Sequence, residues 1–318
     1  MNGFPARGQQ THKPRIRLGR ILKKQWVMML MLLPATAYAL IFSYWPMSGI
    51  VMAFQSYTFR GGIYRSPWNG LANFRYLWIS GKLTELTLNT MLYNLAFLLV
   101  GLVLEVGFAV ILNELAGKRM KKVCQSLMFL PYFISWVVVG AIMFSLFNFE
   151  KGVMNYVLEL LGVAPVDIYN NPQCWPVLLV LVRAWKVTGY GMVVYLATIT
   201  SLDQEMFEAA SIDGASVWQR IRYITIPSLV PTMMIMFLLG VGNIFRGDFG
   251  LFYQTVGSNS NLLSTTDIID TYVFRSLMSN SDMGMTAAAG LYQSVLCFVT
   301  ISIVNWIVKK IEPNYALF

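Results

Sequence analysis

The chain has 318 residues, 56% of them hydrophobic and 12% charged, with a mean hydropathy of +0.56 and a formal net charge of +9. Soluble chains carry about 25% charged residues, so a water-facing shell of ordinary polarity is excluded and a bilayer protein is expected. One histidine (His12), three isolated cysteines (Cys124, Cys174, Cys297) and no G-x-x-x-x-G-K-[ST] exclude His-based catalytic or metal chemistry, a disulfide framework and a P-loop of the chain's own.

Residues 1–25 form a basic tail with seven Lys/Arg and no acid. Residues 26–318 read as a transmembrane domain with six runs long enough to cross a bilayer, at about 26–45, 88–112, 125–149, 174–202, 226–245 and 286–308. Ala35-Thr36-Ala37 resembles a signal-peptide cleavage site, but the apolar run continues to Trp45, so the first run is read as a span. Fifteen Lys/Arg fall in the tail, the loop 113–124, the loop after span four and the C-terminal tail, against seven in the opposite loops. By the positive-inside rule both termini are expected to be cytoplasmic. The fold expected is an all-α integral membrane protein of six transmembrane helices. Most of the net charge is then topology and no footprint for nucleic acid.

The loop 203–227 between spans four and five is the most informative segment. Ser201 with Gln204 and Ser216 with Gln219 each have capping-box spacing, and Asp213-Gly214 between them is a turn signal. Two short amphipathic helices joined by a tight turn are expected, with Pro227 opening span five where its missing N–H costs nothing. Amphipathicity alone would equally suit a linker on the membrane surface.

Glu208-Ala209-Ala210, then Gly214, then Ile224-x-Ile226-Pro227 match the "EAA" signature of binding-protein-dependent ABC importer permeases. Seven fixed positions coincide by chance on the order of once per million starting points or less often. Leu130-Pro131-Tyr132, Asp248-Phe249-Gly250-Leu251-Phe252-Tyr253 and Asp270-Thr271-Tyr272-Val273 add to the likeness. The chain resembles the maltose-permease type, in the branch handling oligo- and polysaccharides, over residues 85–318. The resemblance implies a multi-pass permease of the bacterial plasma (inner) membrane that is not an enzyme and binds no cofactor. It implies a second homologous permease, an extracytoplasmic solute-binding protein and two cytoplasmic ATPase subunits that use ATP and Mg. Glu208, Ala209, Ala210, Asp213, Gly214 and Pro227 would couple to an ATPase, whose closure would rock the spans between inward- and outward-facing states.

Carried over by motif, the sugar pathway falls on Tyr132, Trp136, Arg183, Lys186, Tyr190, Gly240 and Asn243. Each aromatic could equally be packing. Ionisable groups inside spans need a reason, and Arg183, Lys186 and Glu105 are three such groups. Spacing i, i+3 places both cations on one helical face, with Tyr190 continuing it. One cation could pair with Glu105. Two cations in a sugar pathway point to an acidic, uronate-type oligosaccharide, because Arg grips a carboxylate bidentately and Lys adds charge. A neutral oligosaccharide is the alternative. An ion-coupled transporter would be expected to show inverted repeats, and an intramembrane enzyme a nucleophile–base pair; neither is seen. The external loop 246–285 could meet the solute-binding protein or pack on itself as a lid.

Overall fold

In hydrocarbon a backbone must satisfy its own hydrogen bonds, which favours helices. The computed structural model describes residues 25–115, 117–279 and 282–311, and these are helical apart from loops and one isolated bridge, Gln55 with Trp68. Residues 1–49 form one unit and residues 50–318 another. The basic tail 1–24 lies outside the described residues. In the first unit α1, Trp26–Ala39, contains Pro34 and passes into a π-helical turn, Leu40–Tyr44. The apolar helical run continues to Phe54, beyond the expected end at residue 45.

The second unit is built around α2 (Lys82–Glu114) and α5 (Trp175–Thr200), its most extensive helix pair. Between them lie α3 (Lys118–Phe129), which continues as a 3-10 turn Leu130–Phe133, and α4 (Trp136–Phe147). After α5 come α6 (Gln204–Ile212), α7 (Val217–Arg220), α8 (Ile226–Gly242), α9 (Phe249–Val256), α10 (Ile269–Met278) and α11 (Met283–Ile311).

Among the described residues five helical segments are long and apolar enough to cross a membrane, and a sixth crossing is a broken pair. That pair is the expected third span. It starts at Lys118, not at 125, and bends by 94° between Lys118–Phe133 and Trp136–Phe147. Pro131 cannot donate a backbone hydrogen bond, and Ile134 and Ser135 are extended. The Ser135 hydroxyl then caps the new helix, accepting from the Val138 N–H at 3.3 Å. The break frees carbonyls in an apolar setting, and Lys186 on α5 answers them. Its Nζ donates to the Tyr132 carbonyl at 2.9 Å and to the Pro131 carbonyl at 3.4 Å, and the residue is only 6% exposed. A cation there also suits the negative end of the helix dipole.

Lipid tails are as apolar as leucine, so helices associate through close packing at small residues. A Cβ at Gly189 would strike the Met128 carbonyl and the Phe129 backbone, and one at Gly140 would strike the Gln254 carbonyl. These contacts seat α5 on α3 and α4 on α9.

The described residues of the segment 246–285 pack on one another and on the spans. Asp267 is fully buried and takes hydrogen bonds from Arg275 Nη2 at 2.6 Å and Thr271 Oγ1 at 3.0 Å, with Lys82 Nζ paired at 3.1 Å. Asp270 accepts from the Gly247 N–H and from Gln293, and Asp282 from the Gly284 N–H. These three acids of the segment are thus engaged within the chain.

Replacing Lys186 by Met should lower stability by about 1–3 kcal/mol, because buried carbonyls lose a charged donor. Gly189→Ala should cost a similar amount, about 1–3 kcal/mol, since only backbone could yield to the new methyl. Thermal unfolding of the detergent-solubilised protein measures both, and midpoints equal to wild type would contradict these roles.

Candidate functional site

Two features stand out: a cavity between the spans and an exposed helical knob after α5. The cavity lies between two apolar clusters. On one side Tyr93 and Phe97 of α2 meet Trp175 and Leu179 of α5; on the other Val106–Leu112 of α2 meet Met192, Tyr195 and Ile199. At the level between them Gly101, Glu105, Arg183 and Val187 line a cavity of about 500 Å³, completed by Gly240, Asn243, Arg246 and Asp248.

Arg183 is the cavity's central cation. Its guanidinium lies 4.5 Å from the Phe97 ring centroid, and its Nε is 3.8 Å from Asp248 Oδ2. That is an ion pair without a hydrogen bond, and the buried Nε has no hydrogen-bond partner. Asp248 caps α9, accepting from the Leu251 N–H at 3.2 Å. Burial pushes its carboxyl above the ordinary aspartate range, against the pull of the Leu251 N–H, Arg183 and Lys186. Burial does the same to Asp270, opposed by the Gly247 N–H and Gln293.

The structure divides the seven expected pathway residues. Arg183, Gly240 and Asn243 line the cavity. Tyr132, Trp136, Lys186 and Tyr190 gather instead at the break of the third span. Tyr132 and Tyr190 stack with centroids 4.6 Å apart, and Lys186 Nζ lies 5.5 Å from the Tyr132 ring and 5.1 Å from the Trp136 ring. Trp136 is wedged against Gly250, whose missing Cβ leaves room for the indole. The expectation that both cations share one face therefore needs correction: Arg183 faces the cavity, while Lys186 turns to the freed carbonyls. The partner of Arg183 is Asp248 and not Glu105. Asp248 stood in a quoted motif, but nothing in its spacing showed that it would meet span four.

The knob is built by local rules. The helix α6 is capped by Asp203, which accepts from the Glu205 N–H at 3.0 Å. The expected Ser201–Gln204 box does not form, because Ser201 still has helical dihedrals at the end of α5. The α6 C-terminus closes with the Gly214 N–H on the Ser211 carbonyl and the Ala215 N–H on the Ala210 carbonyl, the two bonds of a Schellman motif. That motif needs a left-handed residue, and Gly214 has φ +80°. Hence the spacing of Ala210 and Gly214. The Ser216–Gln219 box is present and starts α7. Pro227 stands in the first turn of α8, as expected, but no break precedes it. A π-helical turn, Ile221–Thr225, joins α7 to α8 without interruption and shifts the hydrogen-bond register just before the proline. Arg220 ties the knob back to Ser211 at 2.6 Å and to Glu114 of α2 at 3.7 Å. Its apex is open: Glu208, Ala209 and Asp213 are exposed, Ile212 is 86% exposed and Trp218 71%.

Residues 105–313 match the family model described as the binding-protein-dependent transport system inner membrane component. Protein LplB of Bacillus subtilis (strain 168) is 31% identical over 92% of each chain. The polygalacturonan/rhamnogalacturonan transport system permease protein YteP of the same organism is 29% identical over 93% of this chain and 92% of its own. A chain in the crystal structure of a bacterial ABC transporter involved in import of the acidic polysaccharide alginate superposes with a TM-score of 0.85 at 30% identity, covering 93% of this chain and 99% of that one. With a multi-pass helical fold, an EAA-type knob and a cavity between the spans, the chain belongs to the family of inner-membrane permease components of binding-protein-dependent ABC transport systems.

Proposed function

We propose that this permease carries an acidic, uronate-type oligosaccharide from a solute-binding protein to the cytoplasm by alternating access. The carrying observation is Arg183: a half-buried side chain in the cavity wall whose buried Nε has no hydrogen-bond partner and whose ion-pair partner Asp248 sits at 3.8 Å. Such a group is an open receptor for a substrate carboxylate. The substrates for which two similar proteins are named, polygalacturonan/rhamnogalacturonan and alginate, are acidic polysaccharides. Asn243 offers an amide to hydroxyls, and the exposed Tyr132–Tyr190 stack offers a flat face of the kind that packs on pyranose rings.

Energy would enter through the knob. Its exposed Glu208, Ala209 and Asp213 and the apolar Ile212 and Trp218 form a projecting surface suited to a cleft on a cytoplasmic ATPase, with two such subunits hydrolysing MgATP and a second homologous permease completing the path. The distribution of Lys and Arg supports a cytoplasmic side for the knob.

In proteoliposomes holding the complete transporter, Arg183→Gln should reduce uptake of an acidic oligosaccharide about ten- to a hundredfold, the value of a charged hydrogen bond. Uptake of the acidic sugar at the wild-type rate would favour a neutral substrate instead. Gly214→Pro, which cannot take a φ of +80°, and Glu208→Lys should abolish transport and substrate-stimulated ATPase without reducing the amount of permease in the membrane. Normal uptake in both would remove the coupling role.

A further inference from the structure

We propose that an anionic phospholipid seats in an apolar groove between α2 and the helix that follows the knob, its acyl chain along α2 and its headgroup on Arg222. The proposal needs neither Arg183 nor the identity of the sugar.

The groove has a volume of about 620 Å³, within the range that small-molecule sites take. Val106, Val110 and Ile111 of α2 form one wall, and Trp218, Ile221 and Ile226 the other. Gly107 shares the α2 wall, and among the described residues no atom lies within 4 Å of the place its Cβ would take. The glycines at the helix contacts admit a neighbouring backbone. This one admits nothing from the chain and keeps the groove open.

Depth decides what can reach it. Val106, Gly107, Val110 and Ile111 belong to the apolar helical run Lys82–Glu114, within the stretch 88–112 expected to cross the bilayer. A water-soluble subunit does not enter that layer, whereas acyl chains compose it. The charges come where the two helices leave it: Glu114 is the last residue of α2, and Arg222 stands four residues before Ile226, the start of α8. Trp218 and Tyr223, both exposed, are of the residue types that sit at headgroup level. An apolar trough with a cation at the interface has the outline of an anionic amphiphile.

Charge selects the headgroup. Of the two charged residues lining the groove, Glu114 already faces Arg220 at 3.7 Å. Arg222 is exposed and has no carboxylate partner among the described residues; its guanidinium lies 5.8 Å from the Tyr223 ring centroid. Lys118 and Arg119 start α3 three and four residues beyond Leu115, the last lining residue on the α2 side. A guanidinium grips phosphate oxygens in pairs, and the cation of a zwitterionic headgroup would be opposed by these basic surroundings. Trp218 belongs to the knob as well as to the groove, so a bound lipid touches the surface proposed to meet the ATPase.

The test uses the complete transporter in proteoliposomes with phosphatidylglycerol or phosphatidylcholine carrying a photoactivatable group on the acyl chain, and mass spectrometry of the labelled peptides. In wild type the peptides holding residues 106–115 and 217–226 should be labelled about fivefold more by phosphatidylglycerol, the worth of one cation near an anionic surface. Arg222→Gln should bring that ratio close to one, and Arg222→Lys should keep it. Gly107→Leu, whose side chain projects into the groove, should reduce labelling of both peptides several-fold and leave labelling elsewhere unchanged; where it fails to assemble, the two Arg222 variants decide. Equal labelling by the two lipids in wild type would mean ordinary annular contact and overturn the proposal. Groove peptides that stay unlabelled, as they would under another subunit, or a wild-type ratio in Arg222→Gln would overturn it too.

Discussion

The hydrogen bonds from Lys186 Nζ to the Pro131 and Tyr132 carbonyls hold together what the rest of the path requires. A 94° break inside an apolar segment exposes main-chain acceptors that have no water to turn to. One buried ammonium resolves this, and its own burial is tolerable because two carbonyls and two ring faces surround it. With the break secured, α4 leaves at a steep angle and meets α9 at Gly140, which admits the Gln254 carbonyl. The helix α9 begins at Asp248, and Asp248 reaches Arg183. The position of the cavity's counter-ion therefore depends on a bond made on the other side of α5.

The packing that surrounds this arrangement follows from the solvent. Helices in lipid gain little from hiding apolar surface from one another, so contact quality decides the geometry. Gly189 lets α5 lie on the α3 backbone, and Gly191 makes room for a carboxylate. These glycines, two residues apart on one helix, face different neighbours and do different work. Phe97 and Tyr195 each belong to one of the flanking clusters and line the cavity from either side.

What was legible in the sequence was mainly what is local. The Schellman closure of α6 needs only the spacing of Ala210 and Gly214, and the Ser216–Gln219 box needs four consecutive residues. The apolar runs announced the crossings because length and composition suffice for that. The failures are equally physical. Pro131 looked like any membrane proline, since a break becomes visible only once a partner for the freed carbonyls is known. Arg183 and Lys186 share a helical face by spacing, yet 60° of helix rotation between them was enough to send one to the cavity and the other to the break. Asp203 displaced Ser201 as the α6 cap because Ser201 is itself still helical at the end of α5. Asp248 and Asp267 owe their roles to helices far away in sequence, which no local pattern records.

A transport site has to release what it binds, and that sets limits on how Arg183 can be held. A bidentate carboxylate at hydrogen-bond distance would lock the guanidinium and leave nothing for cargo. No counter-ion at all would leave a charge stranded among apolar side chains. Asp248 at 3.8 Å, with one oxygen already accepting from the Leu251 N–H, lies between these extremes: it neutralises the field without occupying Nε. The loop's other acids follow the opposite rule. Asp267 takes three donors and Asp270 accepts from a backbone N–H and a side-chain amide, and both serve to fasten that segment. Within one loop, tight pairing marks the groups that hold the scaffold still, and the loose pair marks the place where something is meant to come and go.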